Sequence, residues 1–207
     1  MKKICLPVFL LIFLILLFIL TFETREFSSK EQVEFFVDKP YLSLIKELSA
    51  KNSLEKIAEE NNSRIVNKSW RRFDIKVPRK LLNVAQYELD AVLVFEIEKS
   101  DPYLGSLNLP FTQKVKVTNK EFTVDTDLRD FQKNIMSCKK FINIKPNPKG
   151  LNTIVQVESE LSIKLKAPFF LKNKINKKVK ENNLNEIENI KNNIIKNSGT
   201  VFTITIK

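Results

Sequence analysis

Histidine is absent from all 207 residues. That absence removes Ser-His-Asp and Cys-His nucleophilic machinery, HExxH zinc sites and imidazole general bases. The two cysteines do not replace it. Cys5 sits in an apolar run and Cys138 stands alone downstream, so neither a disulfide within the domain nor a CxxC metal site can form. A lone Cys without a base partner reads as a small buried hydrophobe. The remaining chemistry would have to come from carboxylates. Asp125, Asp127 and Asp130 are closely spaced, but Arg129 lies among them and the position reads as a solvated strand end. Glycine occurs only at 105, 150 and 199, so no phosphate-cradling GxGxxG or GxxxxGK[ST] loop exists. The expectation is a protein that is not an enzyme and holds neither metal nor cofactor.

Aromatic and basic residues are what the chain has in supply. Trp70, Phe73, Phe95, Phe122, Phe141, Phe169 and Phe170 are the candidate lining of a site for a hydrophobic ligand. Each also reads as plain core, because alternating aromatics in strands are how sheets build cores. Phe169 and Phe170 stand apart: two adjacent Phe side chains in a corner cannot easily both point inward, so one edges a cavity or touches a membrane. Lys2 and Lys3 aside, 33 basic residues face 24 acidic ones, a net charge of +9. Such a surplus attracts acidic lipid headgroups. Lys114, Lys116, Lys139 and Lys140 are the candidate membrane-facing bases. Trp70-Arg71-Arg72 and Lys139-Lys140-Phe141 mix bases with aromatics as nucleic-acid platforms do. Nucleic acid is not expected as a partner, because the N-terminal segment places the domain away from it.

That segment runs from Ile4 to Phe22 without a charge, after Lys2 and Lys3. As a helix its 19 residues reach roughly 28 Å, close to the hydrocarbon thickness of a bilayer. It lacks the small-x-small exit of a signal peptide, so an uncleaved transmembrane anchor over residues 1–22 is expected rather than a cleaved leader. The flanking lysines predict a cytoplasmic N-terminus. The rest of the chain then sits on the periplasmic, lumenal or extracellular side. Residues 23–30 read as a polar neck, and 31–207 as one domain.

Within that domain the hydrophobic period changes twice. Gln32–Val37 reads as a strand, and Pro40 opens a helical stretch with Tyr41, Leu44, Ile45 and Leu48 on one face. From Arg64 to Pro168 the period is two. Strands are predicted around Phe73–Val77, Tyr87–Ile97, Val115–Val117, Phe122–Val124, Phe141–Ile144 and Val155–Leu165, with a hairpin turn at Thr118-Asn119-Lys120. After Pro168 the period returns to 3.6, with Ile175, Val179, Ile187, Ile190 and Ile194 on one stripe. Residues 201–206 read as a last strand. The expected class is α+β: a helix-grip-like curved antiparallel β-sheet covered by a long C-terminal helix, preceded by an N-terminal transmembrane helix.

The opening QVEFFVDKPYLSLIKEL and the closing VQVESELSIKLKAPFFLKNKINKKVKENNLNEIENIKNNI give this layout a resemblance. It resembles the START-like (SRPBCC, polyketide cyclase/lipid-transport-like) superfamily. It looks most like the uncharacterised members of cyanobacteria and plastids, over Glu31 to Lys196. The final strand and the N-terminal anchor depart from that family's pattern. The resemblance implies a hydrophobic or amphipathic small-molecule ligand, a lipid or pigment, held between helix and sheet. Membrane lipid is the expected partner. The alternative expectation is an anchored interaction or assembly factor with a packed core, no ligand and a membrane protein partner.

Overall fold

The computed structural model describes residues 13, 22–50, 63–76, 88–101, 105–130, 134–198 and 202–204. In chain order the elements are β1 (Phe22–Val37), α1 (Tyr41–Ala50), β2 (Ser63–Lys76), β3 (Glu88–Asp101), β4 (Gly105–Val117), β5 (Phe122–Leu128), β6 (Ile135–Pro146) and β7 (Thr153–Pro168). A 3-10 turn over Phe169–Leu171 leads into α2 (Lys172–Ser198), and the short β8 (Phe202–Ile204) follows. The molecule is α+β: one curved antiparallel sheet and a long C-terminal helix. The strand order is β2-β3-β4-β5-β6-β7-β1, with β8 added outside β1.

Strands β2 to β7 form a meander in which each strand pairs antiparallel with its neighbours in sequence. The turn between β4 and β5 is the one expected at Thr118-Asn119-Lys120. The Thr118 N–H donates to the Glu121 carbonyl at 2.8 Å, and the Thr118 hydroxyl accepts from the Lys120 and Glu121 N–H groups. The long-range step is β1 against β7, an unbroken ladder from Phe22↔Pro168 to Val37↔Thr153. At about 3.3 Å per residue this ribbon is roughly 50 Å long. It projects five residues past the start of β6, whose first partner is Ile163.

The ladder corrects the boundary expected from sequence. Residues 23–30 are the first half of β1, where a neck was expected. Phe27 is buried at 1% exposure and packs with Ala167 and Val179. The segment looks polar because Glu23, Arg25 and Ser29 share the inward face with Phe27, while Glu26, Ser28 and Lys30 occupy the outward one. β6 likewise begins at Ile135, six residues before the expected strand, behind a register shift between Ile135 and Ser137 that breaks the alternation.

Helix α2 lies across β1 and β7 and touches α1. Its expected stripe faces the sheet: Val179, Ile187, Ile190 and Ile194 are buried, and Ile175 packs beside them. Under its C-terminal half, Val33, Phe35, Val37, Tyr41, Leu44, Ile144, Val155 and Val157 form the main core. Each such side chain contributes roughly 1.5–3 kcal/mol on leaving water. Polar ties seat α1 on this core. The Tyr41 hydroxyl donates to the Thr118 carbonyl at 2.7 Å, the buried Thr153 hydroxyl donates to the Lys39 carbonyl at 2.6 Å, and Lys39 pairs with Glu47 at 2.7 Å. Of the expected N-terminal transmembrane helix, only Phe13 and Phe22 are among the described residues, and Phe22 is the first residue of β1. Among those described, no helix is long and apolar enough to cross a membrane. The helical continuation expected around Leu54–Ala58 also lies outside them.

Candidate functional site

The register brings one row of residues into line across seven strands, on the sheet face that α2 covers. Trp70 of β2 stands opposite Leu93, Leu93 opposite Gln113, Gln113 opposite Thr126, Thr126 opposite Lys140, Lys140 opposite Ser159 and Ser159 opposite Glu31. Paired residues of an antiparallel ladder share a face, so these side chains lie on one side of the sheet. At about 4.8 Å between strands the row is roughly 29 Å wide. Its middle and far end are polar, in a layer otherwise built of Val, Ile, Leu and Phe.

Polar groups buried in this way need partners. Gln113 donates to the Thr126 hydroxyl at 3.1 Å, and both are buried. Lys140 donates to Glu186 of α2 at 2.5 Å. Burial works against the charge of Lys140. The field of Glu186, that of Cys138 and the hydrogen bond to Glu186 outweigh it and raise its pKa above the ordinary lysine value. Where the apolar stripe of α2 would place another aliphatic residue, it carries Asn183. The amide of Asn183 donates to the Ser29 carbonyl at 3.1 Å and to the Ser159 carbonyl at 3.0 Å. Lys180 reaches Glu31 at 3.9 Å. Three side chains of α2 therefore dock on the polar half of the row.

The other half is apolar and leaves the helix behind. Leu93, Phe95, Leu109 and Phe111 form a second buried cluster, with Phe95 and Phe111 stacked at 5.6 Å and Cys138 packed beside them. Trp70, Phe73 and Ile75 extend this face along edge strand β2, where all three are more than half exposed. Trp70 and Phe73 are an odd number of residues apart and would ordinarily point to opposite faces. A bulge between Trp70 and Arg72 restores them to one side, and the rings meet edge to face at 5.8 Å. An apolar strip thus runs from the open edge of the sheet to the polar row.

The seven aromatics singled out in the sequence do not line one site. Trp70 and Phe73 meet on β2, while Phe95 of β3 stacks on Phe111 in the neighbouring buried cluster. Phe122 is on the same face but packs into the main core. Phe141 stands opposite Asp125 and Glu158, alternating with the core residues Ile142 and Ile144, and therefore lies on the outer face. Phe169 and Phe170 occupy the corner after β7, both more than half exposed.

The four lysines likewise do not share a surface. Lys140 is turned inward to Glu186, which corrects its reading as a membrane-facing base. Lys114, Lys116 and Lys139 are on the outer face, opposite Asp125, Thr123 and Asp127 respectively. The carboxylates Asp125 and Asp127 are thus exposed partners of lysines across the ladder. Among the described residues no three His, Cys, Asp or Glu are grouped to hold a metal ion. Arg72 faces away from Trp70 and donates to Asp74 at 2.5 Å, with Asp90 at 4.0 Å. The hydrogen bond to Asp74, its charge and that of Asp90 raise the Arg72 pKa. The polar row was not found from sequence, since its members are scattered from Glu31 to Ser159. The one local sign of it in the sequence is Asn183, a polar residue in the helical stripe.

No family model matches the chain, and a search among curated proteins returns no match. Among solved structures it is similar to an uncharacterized protein from Rhizobium leguminosarum, with TM-score 0.41 and 9% identity over 84% of this chain and 99% of that one. A protein from Thermus thermophilus is similar with TM-score 0.37 and 10% identity, over 83% and 98% of the two chains.

Proposed function

We propose that the protein is a membrane-tethered, non-catalytic domain of START-like type. Its ligand is a hydrophobic or amphipathic small molecule of lipid or pigment class, held on the helix-covered face of the sheet. The observation that carries this reading is the apolar strip of Trp70, Phe73, Leu93, Phe95 and Phe111, which is open at the β2 edge and ends on a buried polar row. Concave sites for such ligands combine an apolar wall with a few placed polar groups. Here Gln113 and Thr126 stand where a polar head would meet the row, and the strip offers a path for an apolar body. The charge-free run Ile4–Phe22 supports the tether, and its last residue, Phe22, is the first of β1.

Trp70 is the only tryptophan in the chain and stands in the strip, so it reports on the site directly. Titration of the full chain in detergent with a long-chain fatty acid is expected to shift Trp70 emission to the blue, saturably. An unchanged spectrum at saturating fatty acid, and with a carotenoid as a second probe, would count against the proposal. A second reading, an anchored assembly factor, is favoured by one feature. The outer edge of β2 has no strand partner among the described residues, and its exposed aromatics suit addition of a partner strand.

A further inference from the structure

The first rung of the β1–β7 ladder, Phe22↔Pro168, puts the end of the N-terminal apolar run beside the corner that carries Phe169 and Phe170. The two rings are exposed by 58% and 53% and meet edge to face at 5.8 Å. Residues 164–180 contain seven lysines and no acidic residue. Lys177, Lys178 and Lys180 have acidic neighbours in Glu181 and Glu31. Lys164, Lys166, Lys172 and Lys174 form no ion pair among the described residues. The nearby acids are engaged locally: Glu23 accepts from Arg25 at 2.6 Å, and Glu26 accepts from Ser162 at 2.6 Å. Lys164 and Lys166 leave one side of the ribbon, while Lys172 and Lys174 leave the start of α2 on the other. The corner is thus an aromatic tip collared by unpaired positive charge.

We propose that this corner is the membrane-contacting surface of the domain. In this arrangement Phe169 and Phe170 are inserted at the headgroup level of an anionic bilayer, and Lys164, Lys166, Lys172 and Lys174 meet its acidic lipids. Amphipathic anchoring by exposed rings and flanking bases is how peripheral surfaces hold to membranes, and each lysine near the surface is worth about fivefold in binding. The β1–β7 ribbon then rises from the bilayer, with the Trp70–Lys140 row about 30 Å along the strands from the tip. This inference rests on the tether reading and adds an orientation to it. It replaces the outer-face lysines Lys114, Lys116 and Lys139 as the contact, since they lie far from the tip along the sheet.

The test uses the full chain in vesicles of phosphatidylcholine with phosphatidylglycerol, carrying brominated acyl chains. Phe169→Trp in a Trp70→Phe background is compared with wild type, whose one tryptophan is Trp70. Severalfold stronger quenching of the introduced tryptophan than of Trp70, reduced when Lys166, Lys172 and Lys174 are all changed to Glu, is the expected result. Retention of the chain through an alkaline wash reports the tether separately. A retained chain with no quenching at position 169 overturns the corner and leaves the tether standing. A chain released by alkali but quenched at 169 before the wash supports the corner and overturns the tether. A chain neither retained nor quenched overturns both.

Discussion

Asn183 hydrogen-bonds to Ser159, donating to its backbone carbonyl at 3.0 Å, and this contact seats α2 on the polar row. The same amide reaches the Ser29 carbonyl at 3.1 Å, so one helix side chain ties the two strands of the β1–β7 ribbon. Asn183→Ala removes the donor and leaves a small void at a position with 2% exposure. The expected loss is about 1–3 kcal/mol, read as a lower unfolding midpoint of the full chain in detergent.

The Lys140–Glu186 pair makes a separate prediction. Both side chains keep about a quarter of their surface accessible, so the pair is shielded but not dry. Glu186→Gln is expected to cost about 1–3 kcal/mol, below the loss for a fully buried pair. Replacing both residues by Met and Leu is expected to cost less than the single change, because no charge is left behind. The pKa of Lys140 is raised in the folded state, so the pair's contribution is complete below the ordinary lysine value of about 10.4. It is lost as pH rises through the higher folded value. Unfolding midpoints across pH 9–12 should therefore fall more steeply for wild type than for Glu186→Gln.

Phe27 distinguishes a strand from a neck. In a solvated linker, Phe27→Ala would leave stability unchanged. In β1 it empties a site against Ala167 and Val179, at a cost of about 3–5 kcal/mol. For a chain of this size that lowers the melting temperature by on the order of 10 °C. A melting temperature within a degree of wild type would return residues 23–30 to the role of linker.

The difference between what could be read from sequence and what could not is physical. The α2 stripe and the Thr118–Lys120 hairpin are local patterns, set by periodicity and turn chemistry over a few residues, and both are found in the structure. The first half of β1 was hidden because only Phe27 among its inward residues is strongly apolar, and its partner strand lies more than 120 residues away. The faces of Trp70 and Phe141 depend on a bulge and on register, which composition does not encode. The polar row combines both difficulties. Each of Glu31, Gln113, Thr126, Lys140 and Ser159 reads alone as a surface residue, and only the ladder places them in one line under a helix.

The central claim, a small molecule on the apolar strip, is tested most directly by native mass spectrometry of the full chain extracted in mild detergent. Wild type is expected to carry a non-covalent hydrophobic adduct of several hundred daltons, by the usual size of such ligands. That adduct should be depleted severalfold in the Trp70→Ala/Phe73→Ala variant, whose changes fall on exposed side chains and spare the core. A wild-type chain that flies bare, or an adduct retained equally by the variant, would contradict the account.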